Sequence, residues 1–247
     1  MDLLIGTLLL RPYVFVFLAA FLVAGARDLG LGRTLRFGAV VWPLAWAAEF
    51  SSTRTGIPFG LYHYTQTTRG QELFIADVPF FDALSFTFLA YAAFCVARGI
   101  LGPSASRAAT AVAGGFLMMM LDIVIDPLAV RGDRWFLGHI FYYPDGGVYF
   151  GVPLSNFAGW WLLGTLALGA YLALEPSGRR HVGRIGPGIA LYYAVIAFNL
   201  AVTAWIGEWR PFAVGLALHA AMGLVLGTVV RRARVADVLG TRGMERA

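Results

Sequence analysis

The chain contains no lysine, and all 19 of its basic residues are arginine. A retinal Schiff base needs a lysine amine, so a rhodopsin-type pigment is excluded whatever the number of spans. Cysteine occurs once, at Cys95 inside an apolar run, which removes internal disulfides, CxxC redox chemistry and cysteine-rich zinc sites. Charge of either sign is scarce. Charged residues make up 13% of the 247, against about 25% in soluble domains, while apolar residues make up 59% and mean hydropathy is +0.70.

What is present follows from that shortage. Runs approaching twenty residues with few charges recur along the whole length, so the expected architecture is an all-α polytopic transmembrane bundle. It occupies residues 1–235 as one domain, followed by a polar cytoplasmic tail over 236–247. Seven spans are expected, at 3–26, 35–50, 78–97, 105–128, 153–174, 186–206 and 211–230. The first is interrupted by Arg11 and Pro12. Its Ala24-Gly25-Ala26 ending imitates a signal-peptide cleavage site, but so long an apolar run reads as a retained anchor. The net charge of +5 does not point to nucleic acid, because the arginines are spread through short loops and read as topology signals. Six of them, Arg11, Arg54, Arg69, Arg131, Arg134 and Arg210, fall on one side and the other thirteen on the opposite side. The positive-inside rule then puts the N-terminus outside and the C-terminus in the cytoplasm, as in a prokaryotic cytoplasmic membrane.

Two long connections, 51–77 and 129–152, share the outer face in this reading. Both are rich in Gly, Pro and aromatics, as in GIPFGLYHY at 56–64 and FYYPDGGVYFGVP at 141–153. Such segments either fold back as a lid or lie at the interface as an aromatic belt.

Four carboxylates sit inside apolar stretches: Glu49, Asp82, Asp122 and Asp126. A charge at bilayer depth costs about 2.5–3.5 kcal/mol even on lenient scales, so such residues are rare and usually functional. Counting about 1.5 Å per residue from the flanking arginines puts all four, with Asn199 and His219, roughly 18–28 Å from the cytoplasmic edge. Asn156 starts its span near the same depth. Asp122 and Asp126 are four apart and share a helix face. Two carboxyls that close at low dielectric do not both ionise, and the proton retained is what a general acid needs. Pro127 is expected to disfavour helical geometry at Asp126. Simpler roles compete: buried aspartates pair with arginine or cap broken helices, and Asp82 stands where a helix dipole would stabilise it. His219, Asn156 and Asn199 serve equally as interhelical hydrogen-bonders.

The stretches EFSSTRTGIPFGLYHY (49–64), VPFFD (78–82), LDIVIDP (121–127) and YFGVPLSNFAGW (149–160) resemble the membrane-embedded carotenoid 1,2-hydratases. That family takes in the gamma-carotene 1′,2′-hydratases and bisanhydrobacterioruberin hydratase. The likeness covers about half the chain. It implies addition of water to the terminal double bond of an acyclic carotenoid end group, giving a tertiary alcohol. It also implies a lipid-soluble carotenoid as substrate, membrane lipid as surroundings and other carotenoid-biosynthesis enzymes as neighbours. The resemblance assigns no roles, so those follow from chemistry. Asp122 and Asp126 are expected as acid and proton reservoir, with Glu49 or Asp82 orienting and deprotonating water. Tyr62, Tyr64 and Trp160 would steady the cation through their ring faces, at about 0.5–2 kcal/mol each. Asn156, Asn199 and His219 complete the substrate side. The chemistry calls for no metal and no cofactor, and no motif for either is present. Two alternatives remain. The Asp122-xxx-Asp126 spacing would also suit the magnesium diphosphate of an intramembrane prenyltransferase, and buried carboxylates also relay protons in proton-coupled transporters.

Overall fold

The computed structural model describes residues 3–176 and 183–244, with side chains described as far as residue 228. Arg179, Arg180 and Arg246 of the topology count therefore lie outside the described residues, as do the side chains of Arg231, Arg232, Arg234 and Arg242. Eight helices run in the order α1 (Leu3–Leu10), α2 (Pro12–Asp28), α3 (Leu31–Thr55), α4 (Phe80–Leu101), α5 (Arg107–Ala129), α6 (Leu154–Leu174), α7 (Gly186–Trp205) and α8 (Trp209–Met244). The boundaries follow local chemistry. Pro12 opens α2, where its missing N–H is no loss. Ser106 caps α5 by accepting from the Ala109 N–H at 3.1 Å. Gly56, at φ 78°, ends α3 in the left-handed conformation that glycine adopts without strain.

Five helices, α4 to α8, are long and apolar enough to cross a membrane. The first expected span is instead two helices bent by 93° at Arg11, which together make a sixth candidate. At 25 residues α3 is long enough, but its arginines and Glu49 leave it short of the apolarity of the others. It tolerates them because one stripe, Thr34, Phe37, Val41, Ala45, Glu49 and Ser52, is buried against α2, α4 and α6. The last helix runs past its expected end at 230 and takes up most of the expected tail.

Helix α4 is the most buried of the candidate spans, and α5 and α6 form the most extensive helix pair. A methyl group added at Gly115 would fall 2.7 Å from the Trp161 carbonyl oxygen, and one at Gly164 would fall 2.8 Å from the Gly115 Cα. Small residues at a crossing let two backbones touch, which is how helices associate without a hydrophobic drive between them. Contrary to expectation, Pro127 does not unwind Asp126: both are helical, and α5 continues to Ala129. Proline removes one backbone donor in the last turn, while the Val130 N–H still reaches the Asp126 carbonyl at 3.0 Å. The Pro127 carbonyl accepts from Arg131 at 2.6 Å.

The two long connections meet. Strand β1 (His63–Tyr64) pairs antiparallel with β4 (Phe141–Tyr142), setting His63 opposite Tyr142 and Tyr64 opposite Phe141. A second short ladder, β2 (Phe74–Ile75) with β3 (Val78–Pro79), closes the first connection on itself. The paired connections fold back over the helices as a lid would, turning Tyr62, Tyr64, Phe141 and Tyr143 onto the wall of an internal cavity. Arg131 and Arg134 both pair with Glu208, tying the second connection to the α7–α8 turn.

Candidate active site

Three of the four carboxylates, Glu49, Asp122 and Asp126, arrive on buried helical faces, and Asp82 is half-buried. Glu49 lies on the inward stripe of α3 and is 4% exposed. Asp82 is in the first turn of α4, so the favourable dipole position and a place in the site coincide. Asp122 and Asp126, one turn apart on α5, are 0% and 9% exposed. Asn156 starts the buried face of α6 that continues through Trp160, Leu163, Ala167 and Tyr171.

These groups form two clusters. In the first, the Asn156 amide donates to Asp122 Oδ2 at 2.5 Å and to Asp126 Oδ2 at 2.8 Å, using both of its hydrogens. The Tyr143 hydroxyl adds a longer bond to Asp126 Oδ2 at 3.3 Å. In the second, the Tyr64 hydroxyl lies 2.8 Å from Asp82 Oδ2 and 3.1 Å from Glu49 Oε1. A phenol has one hydrogen to give, so both contacts are satisfied together only when one carboxyl supplies a proton of its own. Behind Asp82 lies Arg11, with Nη1 3.7 Å from Asp82 Oδ1. Its Nε and Nη2 donate to Glu72 at 2.6 and 2.9 Å. Among the described residues, no hydrogen-bond donor meets the buried Glu49 Oε2 or Asp122 Oδ1.

Both clusters open on one cavity of about 110 Å³, several times the ~10–15 Å³ that a single water requires. Glu49, Asp82, Asp126, Asn156, Tyr62, Tyr64 and Tyr143 contribute to its walls. Asp122 does not reach the wall and stands behind Asp126. The rest of the wall is mainly apolar, part aromatic and part aliphatic. Phe86 stacks on Trp160 with centroids 4.4 Å apart, and Tyr62 sits 5.4–5.8 Å from Tyr64, Phe141 and Tyr143. On the far side Tyr13, Phe17, Trp135 and Phe198 line a seam between α2, α7 and the second connection. Burial first, and the neighbouring carboxyls second, push the hydroxyls of Tyr62, Tyr64 and Tyr143 well above the ordinary phenol range. These three loop tyrosines therefore keep their protons and act as donors.

Of the residues expected from the sequence, Glu49, Asp82, Asp126, Tyr62, Tyr64, Trp160, Asn156 and Asn199 line the cavity. Asp122 joins them indirectly through Asn156. His219 is not among the lining residues; it is buried where α8 packs on α5, near the Met120 backbone. Among the described residues no three His, Cys, Asp or Glu side chains are grouped to hold a metal ion. Sequence reasoning missed Arg11, Glu72 and Tyr143. The charged break at Arg11 in an apolar run was a signal for the first, although it was read as a loop charge. Glu72, in a polar connection, carried none.

An acid-bearing cavity of aromatic and aliphatic walls, inside apolar helices and under a lid of paired loops, defines a helical membrane protein with its polar chemistry gathered at one place. The particular lineage follows from comparison. A family model described as "Carotenoid biosynthesis protein" matches residues 6–222, and the chain belongs to that family. The chain is 29% identical over 189 residues to the bisanhydrobacterioruberin hydratase of Haloarcula japonica, covering 73% of this chain. It spans 59% of the length of that relative. No solved structure matches.

Proposed function

We propose that this protein is a carotenoid hydratase, adding water across the terminal 1,2 (1′,2′) double bond of an acyclic carotenoid end group. The observation that carries the reading is that two separate carboxyl clusters face one cavity of aromatic and aliphatic walls within an apolar bundle. Family membership and the name of the relative support the substrate class. Seven crossings are part of the proposal, with α3 and the bent α1–α2 pair each counted as one. The lid then faces outward and both ends of the chain take the orientation the arginines favour, in a prokaryotic cytoplasmic membrane.

The reaction needs a proton at the less substituted alkene carbon, then water at the tertiary cation. Asp126 supplies the proton from the cavity wall, and Asp122, hydrogen-bonded directly to it from behind, restores it while Asn156 holds the two carboxyls together. The C2–H bond forms as the π bond breaks, leaving positive charge on C1. The ring faces of Trp160, Tyr62 and Tyr64 stabilise that charge. A water held by Glu49 and Asp82 adds through oxygen to C1 and gives its extra proton to that pair. Returning this proton to the Asp122/Asp126 pair, where Asp122 has been left ionised, closes the cycle, so the net change is alkene plus water to tertiary alcohol. Every step is proton transfer or electrostatic stabilisation, within the repertoire of carboxyls, phenols and rings.

The test is expression in a bacterium that accumulates lycopene or gamma-carotene. Product carrying one additional water per reacted end, with label from H₂¹⁸O on the alcohol, is the expected result. Unchanged carotenoid mass in cells whose membranes contain the folded protein overturns the reading.

A further inference from the structure

We infer that Arg11 is a positioning residue for the reaction: held by Glu72, it fixes Asp82 from one layer behind the cavity. The inference rests on the hydratase reading above. Arg11 sits at the 93° break between α1 and α2 and is 2% exposed, while the Glu72 side chain is fully buried. Nε and Nη2 are both engaged by Glu72, the bidentate arrangement that only the planar guanidinium provides. That grip aims the third nitrogen, Nη1, at Asp82 Oδ1 3.7 Å away. The other oxygen of Asp82 accepts from Tyr64 at 2.8 Å, and Tyr64 also reaches Glu49. A continuous polar chain thus runs Glu72–Arg11–Asp82–Tyr64–Glu49 across the α1–α2 break, the first connection, α4 and α3. Its last three members line the cavity, and its first two do not.

A pair serving the fold alone would be replaceable. Exchanging both members of a buried ion pair for apolar residues of similar volume is often neutral or stabilising, whereas removing one leaves a buried charge unpaired. The double substitution Arg11→Met with Glu72→Met therefore separates the two roles. The purified wild type and double variant are compared in detergent or vesicles for melting temperature, KM, kcat and ¹⁸O incorporation. The double variant is expected to accumulate and melt like the wild type, with kcat about ten- to a hundred-fold lower, the loss that follows from a misplaced catalytic group, and KM within about two-fold. Should that variant not accumulate, a cycle of Arg11→Lys, Asp82→Asn and their combination decides. If Arg11 acts through Asp82, lysine lowers kcat in the wild-type background and has no further effect beside asparagine. Wild-type kcat in the double variant, or additive losses in the cycle, overturns the inference alone. A folded wild type that adds no labelled water overturns the hydratase reading and this inference with it.

Discussion

The bundle buries carboxylates at both ends, and the two sets are treated differently. At the end away from the lid, Asp28 accepts from Arg98 at 2.6 Å and from Tyr91 at 3.3 Å. Glu175 lies 3.1 Å from Arg33 and 3.3 Å from Arg36. Each has at least one arginine in direct contact, and each joins elements distant in sequence. At the lid end, Glu72 takes the bidentate grip of Arg11, and among the described residues no arginine pairs with Glu49, Asp122 or Asp126, while Arg11 reaches Asp82 only at 3.7 Å. Asp122 and Asp126 are instead held by an amide and a phenol. Burial alone therefore does not mark a reactive carboxyl here. The supply of cations does: paired acids fasten helices, and those held by neutral donors retain the ability to exchange a proton.

The largest effect expected from that contrast is at Asp126. Asparagine keeps its shape and loses the transferable proton, so turnover should fall by about 10²–10⁴-fold with the protein still in the membrane. Product analysis against the amount of embedded protein checks this, and a variant with wild-type turnover would move the acid elsewhere. Asp28→Asn tests the opposite end. Breaking a buried pair costs about 3–5 kcal/mol, so this variant should accumulate poorly and melt early. The molecules that do fold should turn over normally. A turnover defect in the folded fraction would mean that the two ends are not functionally separate.

The sequence shows the lid-end acids because they interrupt apolar runs, and the i, i+4 spacing of Asp122 and Asp126 already places them on one face. Asp28, beside Arg27, and Glu175, at the edge of a polar loop, do not stand out in that way, and they have the structural role. Asn156 and Asn199, grouped with the acids by residue counting, do share a cavity with them, and the two aromatic connections do meet. What sequence could not supply was contact between segments far apart in the chain. Glu72 gains its meaning only by meeting Arg11 across 61 positions, and Tyr143 only by meeting Asp126. Depth also misleads where lateral position decides. Residue counting groups His219 with the acids, yet it is buried where α8 packs on α5 and does not line the cavity.

An intermediate effect is expected at Tyr64, the hydroxyl joining Glu49 and Asp82. Phenylalanine keeps the ring on the cavity wall, and its contacts with Tyr62 and Phe141, while removing the hydrogen bonds. Hydrogen bonds to charged groups are worth about 1.5–3 kcal/mol, which corresponds to a fall in kcat of roughly ten- to a hundred-fold. Steady-state kinetics with unchanged carotenoid binding would check it. A change in KM alone would make Tyr64 part of the substrate pocket rather than of the water-activating pair.

The smallest effect sharpens the comparison from outside both clusters. His219 is mostly buried, and counting residues from the flanking arginines would group it with the acids. Its place between α8 and α5 separates it from the cavity, so a glutamine there preserves the length and polarity of the side chain without touching the chemistry. Turnover per folded molecule should change by less than about three-fold, under ~0.7 kcal/mol in the barrier. Any loss should appear in melting temperature, because what His219 contributes is packing of the last helix. A variant that folds normally but loses product would show that α8 delivers a group to the reaction, and the two-cluster account of the cavity would need a third member.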